Sequence, residues 1–481
     1  MLYRLRQPGH GPCLMEILRK PDGSITFQTM VSVTVPAGTS MLEAEDLLMG
    51  KINEAGATLT GHLLTARDAS AQPFEREGRR FTAKSKKEVR HVETPYGCAV
   101  VWRRAFQSSL GGVCLYPMDE TACLMGAATP KFAQMVSRKL VELPAAEVVR
   151  DLSENHARSV TVDFVQRLTG LVGALAAAAL PAPLTDDQDL PEPEAIKVIS
   201  IGVDGACLLM NQRRTDATAP DQRKDRTREW RTAMVGAITL HDEENVRQGT
   251  FYAACAPPVE EVDEEGKGTG KKGKAAFWAT MDREVAAVKA RYPGASYVGL
   301  SDGAADLLPW LAGHTSVQVL DYYHASGYVH AAAPAFRHEA VPKGEGSDYW
   351  AQEACRHLRY DPGAAAGLLA AFEERLASSR RLGEAARTAL EKSATYFRNN
   401  LGRMDYAAYA AAGLPLGSGV TEAGCKLLVK KRLCGPGMSW GFTMAGHLLR
   451  LRALAHSTGQ RWQSLWKEIL TKPALLATKT T

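Results

Sequence analysis

Short runs in which apolar and polar residues alternate cover residues 13–18 and 24–33, on either side of Pro21-Asp22-Gly23, and predict a β-hairpin. A second hairpin is predicted from 88–94 and 98–105 around Pro95-Tyr96-Gly97. Between the two, Leu42, Ala44, Leu47, Leu48 and Ile52 recur at helical spacing, opened by Ser40 and closed by Gly56. From Thr129 the pattern becomes helical, over 131–143, 145–155 and 161–178. Buried strands follow at 197–203, 231–241 and 250–256, then an amphipathic helix at 277–291. Two further strands, 297–300 and 317–320, flank a helix of about nine residues that starts near Asp306. The stretch 326–412 is nearly strandless, with Ala-rich helical runs at 364–377 and 382–399.

These patterns divide the chain into an α+β region (1–126), a helical region (127–180), a linker (181–195), an α/β region (196–325), an all-α insertion (326–412) and C-terminal helices (413–481). The linker is placed by Pro181, Pro183, Pro191 and Pro193 among carboxylates. Antiparallel strands followed by a β-α-β-α-β rhythm predict a mixed five-stranded sheet. The helices at 145–155 and 161–178, joined by a tight turn, match a helix-turn-helix with Thr161, Gln166 and Arg167 on the recognition helix. Three packed structural helices explain the same pattern equally well. Residues 260–274 pass from acidic to basic without apolar periodicity and are expected to form a mobile loop. They lack the Gly-x4-Gly-Lys-Ser/Thr spacing of a phosphate loop.

With 45% hydrophobic and 23% charged residues over 481 positions, the composition is that of a folded globular chain, not a disordered or fibrous one. The Ala- and Gly-rich run 168–180 is too short to span a bilayer, and residues 1–15 lack the apolar core of a secretory signal. Nine cysteines without a Cys-x-x-Cys pair point to free thiols in a reducing cytoplasm, and Cys98, Cys114 and Cys123 lack zinc-site spacing. A net charge of +5 is too small to mark a polyanion binder, so the distribution of charge matters more than its total.

That distribution is uneven. Residues 423–467 carry Lys426, Lys430, Lys431, Arg432, Arg450 and Arg452 with interleaved tryptophans, a composition suited to a phosphate backbone. Glu422, the only acid between Asp405 and Glu468, opens this stretch. Asp204 and Asp302 each stand where an apolar run stops, in the repeated words Asp-Gly-Ala. Asp-Gly is also a common turn, and a glutamate in a first helical turn is favoured by the helix dipole alone. Together, three carboxylates at two strand ends and a helix start, beside a basic face, form the hard oxygen set that two-metal phosphoryl transfer requires.

At these residues the chain resembles DDE transposases with a ribonuclease H-like catalytic domain, in particular the ISKra-type insertion-sequence family of the Mutator-like group. The resemblance rests on Ile201-Gly202-Val203-Asp204-Gly205-Ala206, Gly299-Leu300-Ser301-Asp302-Gly303-Ala304, Leu320-Asp321-Tyr322-Tyr323-His324 and the run Leu416 to Gly424 containing Glu422. The tail Gly437-Met438-Ser439-Trp440 and the later Leu449-Arg450-Leu451-Arg452-Ala453 extend it. It implies an α/β, ribonuclease H-like mixed five-stranded sheet with an all-α insertion. It implies Asp204, Asp302 and Glu422 as the catalytic and metal-holding triad, with two Mg²⁺ (or Mn²⁺) per site. Asp321 and His324 then match an Asp-x-x-His element in a supporting role.

The activity so implied is metal-dependent cleavage at the ends of a bacterial insertion sequence, followed by attack of the freed 3′-hydroxyl on target DNA. Double-stranded DNA, as terminal inverted repeats and target, is the expected partner, held by a homodimer or larger assembly in the nucleoid-associated cytoplasm. Lys426, Lys430, Lys431, Arg432, Arg450 and Arg452 are expected to hold the DNA backbone, and Thr161, Gln166 and Arg167 to contribute sequence readout. Two rivals are a ribonuclease H-like nuclease without strand transfer and a domesticated DNA-binding regulator.

Overall fold

The computed structural model describes residues 2–5, 15–179, 184, 187–213, 226–257, 260–262, 268–272, 274–336, 348–378 and 382–471. Two units emerge, Met1–Pro181 with Gln463–Thr481, and Ala182–Trp462.

In the first unit, β1 (Leu2–Leu5), β2 (Met15–Arg19) and β3 (Ile25–Thr29) form an antiparallel sheet. Helix α1 (Met41–Ala66) opens with a capping box in which Ser40 and Glu43 satisfy each other's backbone N–H. It does not stop at Gly56, where the sequence pattern ends. A Cβ there would lie 2.5 Å from the Tyr96 ring, so this glycine lets the helix lie close to the second hairpin. That hairpin, with β4 (Phe74–Arg76), β5 (Arg79–Glu93) and β6 (Cys98–Ser108), forms a three-stranded sheet followed by the short α2 (Pro117–Thr121).

The three expected helices are α3 (Pro130–Glu142), α4 (Ala145–His156) and α5 (Val162–Ala178). They belong to the same unit as the hairpin rather than standing apart. The Thr129 N–H donates to Glu93 O at 2.9 Å, and Arg158 donates to Thr94 O and pairs with Glu93. Ala157 ends α4 in the left-handed region at φ +50°.

The second unit is mixed α/β around a five-stranded mixed sheet. Strands β7 (Val198–Arg213), β8 (Arg226–His241) and β9 (Arg247–Cys255) form an antiparallel meander. Residues 260–262 and 268–272, expected in a loop, pair as the short strands β10 (Glu260–Val262) and β11 (Gly268–Lys272); the rest of 260–274 apart from Lys274 lies outside the described residues. Helix α6 (Ala275–Arg291) leads to β12 (Ser296–Ser301), and α7 (Leu308–His314) to β13 (Val317–Leu320). β12 pairs parallel to β7, and β13 parallel to β12, giving the order β13-β12-β7-β8-β9.

The insertion contributes α8 (Tyr322–Ala332), α9 (Tyr349–Tyr360), α10 (Ala364–Ala377), α11 (Glu384–Asn400) and α12 (Tyr406–Ala411). It shares one core with the sheet, in which Phe336, Phe372 and Phe397 pack with Val298, Leu300 and Val319. After it come α13 (Gly419–Cys425), a π-helical turn at Lys426–Lys430, α14 (Lys431–Leu433), α15 (Phe442–His456) and α16 (Arg461–Thr471). The apolar side of α13 to α15 covers the other half of the same sheet face, where Cys425, Leu428, Val429 and Leu449 meet Ala206, Leu208 and Met210.

The expected linker is a packed strap over its described part. Leu184 and Leu190 are buried against Ile199, Ile201 and α6, and Asp187 accepts the Gln460 N–H at 2.7 Å. Nearby, Arg461 Nη2 donates to both carboxylate oxygens of Glu284, and both residues are nearly fully buried. Burial pushes the Glu284 carboxyl above its ordinary range, and Arg461 and Arg283 oppose that shift. Replacing Arg461 by Met leaves this carboxyl buried without its guanidinium partner, which costs about 3–5 kcal/mol. A urea titration of Arg461→Met against wild type, followed by circular dichroism, is expected to show that loss as a lower midpoint.

Candidate active site

Asp204 does not end its strand. β7 continues in register with β8 through Gly205↔Met234 to Arg213↔Arg226, so the first Asp-Gly is extended strand and not a turn. What stops beside Asp204 is its parallel neighbour. β12 pairs with β7 up to Leu300↔Gly202 and ends at Ser301, so Asp302 follows at the position level with Asp204. The second Asp-Gly is a turn. Gly303 sits at φ +99°, and Asp302 Oδ1 accepts the Ala304 N–H at 3.0 Å. The insertion holds this turn through Tyr396, whose hydroxyl donates to Asp302 O at 2.7 Å. Burial pushes that hydroxyl's pKa up, which keeps it a donor.

Glu422 reaches the same rim by close packing. A Cβ on Gly202 would lie 2.2 Å from Thr421 Oγ1, so α13 rests on β7 where the strand has no side chain. Four residues on, Cys425 Sγ donates to Asp204 Oδ2 at 3.6 Å. Four helical residues rise about 6 Å and two strand residues about 6.6 Å, so Thr421–Cys425 and Gly202–Asp204 advance in step. Glu422, between these two points, is 41% exposed, and its Oε1 lies 4.0 Å from His324 Nε2.

Asp321, the other strand-end acid, is fully buried and already satisfied. It caps α8 by accepting the His324 N–H at 2.8 Å, and its other oxygen accepts both the N–H and the hydroxyl of Ser418. It therefore ties the end of β13 to the start of α13 and positions His324 and Glu422 from below. A cavity of about 740 Å³ opens beside Gly303, with Tyr328, Lys392, Asn399 and Arg403 among its walls.

Asp204, Asp302, Asp321, His324 and Glu422 thus lie in the region where the parallel strands β12 and β13 end beside the continuing β7. Among the described residues, no three His, Cys, Asp or Glu side chains are grouped closely enough to hold a metal ion.

The basic stretch separates into exposed and buried groups. Lys426, Lys430 and Lys431 are exposed on the helix that carries Glu422. Arg452 is not available to DNA. It is completely buried and donates to Leu428 O at 2.9 Å and to Leu427 O, holding the π-helical turn that follows Glu422. Arg432 is also buried, with its guanidinium 5.2 Å from the Trp440 ring centre. Arg450 is half-buried, and burial holds its pKa below the ordinary value. In the first unit, Gln166 and Arg167 are exposed, Arg167 pairing with Asp163 at 2.8 Å; Thr161 spends its hydroxyl capping α5 at the Phe164 N–H.

Sequence patterns did not single out Cys425, Ser418, Tyr396 or Gly202 as site residues. The i,i+3 spacing of Glu422 and Cys425 on one helix was the available signal for Cys425; Tyr396 offered none. Among the described residues, no helix is long and apolar enough to cross a membrane. Neither a protein-family model nor a curated protein matches the chain.

Burial and the neighbouring Asp204 carboxylate push the Cys425 thiol up to about 12, so it stays protonated at neutral pH. Iodoacetamide at pH 8 is expected to alkylate the exposed Cys207 at least about tenfold faster than Cys425, as peptide mass spectrometry over a time course will read.

Proposed function

We propose that the protein is a DDE-type DNA transposase with a ribonuclease H-like catalytic domain, as its motifs suggest. One observation carries this reading. Asp204 in the central strand stands level with Asp302 at the end of its parallel neighbour, and the helix bearing Glu422, which follows the all-α insertion, packs on β7 and β8 beside them. The order β13-β12-β7-β8-β9, with only β8 antiparallel to both its neighbours, supports the ribonuclease H-like assignment.

The three acids offer only oxygen donors, which suits Mg²⁺ or Mn²⁺ and disfavours soft metals. Asp204, Asp302 and Glu422 would hold two such ions, whose chemistry when bound is activation of a water or 3′-hydroxyl and stabilisation of the leaving oxygen. The chain's own groups do the rest. Cys425 keeps one Asp204 oxygen oriented, and Asp321 anchors the elements carrying Glu422 and His324. His324, 47% exposed at the rim, is placed to hydrogen-bond a phosphate oxygen or exchange a proton with it. Lys426, Lys430 and Lys431 hold the backbone of the bound duplex.

The test incubates protein, Mg²⁺ and a plasmid carrying the gene's own flanking DNA, and maps cut and joined ends. Asp204→Asn, Asp302→Asn and Glu422→Gln are each expected to keep DNA binding and to lower cleavage by about 10³-fold or more, as loss of transition-state charge stabilisation does. Lys430→Ala with Lys431→Ala is expected to weaken binding and reduce the salt slope by about 0.9 for each phosphate no longer neutralised. Scattered cuts without joined products would replace this reading by a nuclease, and binding without cleavage by a regulator.

A further inference from the structure

The cavity beside Gly303 is distinct from the acidic rim, and its walls have a chemistry of their own. Its volume of about 740 Å³ lies within the roughly 300–1,000 Å³ of pockets that enclose a small molecule. One wall is α11 with the 3-10 turn Leu401–Arg403 that follows it, where Lys392, Tyr396, Asn399 and Arg403 recur at helical spacing. Tyr328 of α8 and Leu308 of α7 line it from other elements.

The charges on these walls do not cancel. Glu391, the one acid among the described lining residues, already accepts from Arg387 Nε at 3.0 Å. Lys392 is exposed, and among the described residues neither it nor Arg403 meets a carboxylate. Arg403 donates through Nη2 to Asn400 Oδ1, but its Nη1 is closed off from solvent without an acceptor. Burial accordingly pulls the Arg403 pKa below its ordinary value, against Tyr396, Tyr409 and Tyr406, which raise it. A partly buried guanidinium without a counter-charge is costly, and an anion in the cavity offsets that cost. The same walls carry an aromatic pair, Tyr328 and Tyr396, stacked with ring centres 3.8 Å apart at 14°. Asn399 is exposed beside them and offers an amide donor and acceptor.

We propose that this cavity binds one nucleotide, its phosphate held by Lys392 and Arg403 and its base along the Tyr328–Tyr396 pair. Cations for the phosphate, aromatic rings for the base and an amide for its hydrogen-bonding edge are the groups that such a ligand needs. A bare phosphate or a small carboxylate would leave the aromatic side and most of the volume empty. Lys392 and Arg403 stand eleven residues apart, about 16 Å of helix, which their two long side chains and one phosphate together span. Two sources share this chemistry, a free mononucleotide and an unpaired nucleotide of a bound single strand. The cavity is tied to the Asp302 turn, because Tyr396 also donates its hydroxyl to Asp302 O and a Gly303 Cβ would stand 3.2 Å from Asn400 Oδ1. The inference rests on these walls and not on the catalytic reading.

The test irradiates the full-length protein with 8-azido-dAMP, or with a short single strand carrying one 8-azidoadenine, and maps labelled peptides by mass spectrometry. Saturable label is expected on the peptide containing Tyr328 or Tyr396. Lys392→Met and Arg403→Met, checked by circular dichroism, are each expected to raise the half-saturating concentration about tenfold, as loss of a hydrogen bond to a charged group does. Arg398→Met, on the same helix but outside the cavity and paired with Glu373, is expected to leave it unchanged. Label from 8-azido-dAMP alone assigns the site to free nucleotides, and label from the strand alone assigns it to an unpaired residue of DNA. No label on these two peptides from either probe, or label that Lys392→Met leaves at wild-type affinity, overturns the nucleotide site. Because Lys392 is exposed, its variant keeps the test decisive even where Arg403→Met fails to fold.

Discussion

The acidic rim depends on the approach of Thr421 to the bare backbone of Gly202. A side chain at Gly202 would lift α13 off β7, separating Glu422 from the two aspartates and Cys425 from Asp204. Because four helical residues and two strand residues cover nearly the same distance, one point of close packing sets the register of α13 against the strand. The acids can therefore come from residues 98 and 120 positions apart and still lie beside the ends of β12 and β13.

Buried polar groups hold that arrangement from the far side. Asp321 is closed off from solvent, yet it spends both oxygens on two backbone N–H groups and a hydroxyl, which recovers the cost of burying its charge. Arg452 does the converse, supplying donors to carbonyls in the π-helical turn after Glu422. One acid and one base, each expected at the candidate site, are thus part of the packing around it. The exposed groups left at the rim, Glu422, His324 and the three lysines, are those free to meet a ligand.

The insertion is more than a covering. It shares its core with β12 and β13 and reaches the site through the Tyr396 hydroxyl on the Asp302 backbone. A change in the packing of α11 would consequently be felt at the turn that aims Asp302. The first unit has a different logic, a hairpin and a helical trio packed together with one long helix left partly uncovered.

Much of this was legible along the chain. Apolar periodicity located the five strands of the central sheet, the Ala-rich insertion and the helical trio, because alternation and 3.6-residue spacing are local properties. The acids could be named because each stands at a break in an apolar run and Glu422 stands alone in a basic stretch. Burial was not legible, and it decided the remainder. Arg432 and Arg452 look like Lys430 and Lys431 in sequence, but helix rotation against the sheet put the arginines inside and the lysines outside. Gly56 looked like a helix stop and Asp204-Gly205 like a turn. A glycine marks either a turn or a close approach, and which one it is depends on whether a distant segment, Tyr96 or β8, arrives beside it.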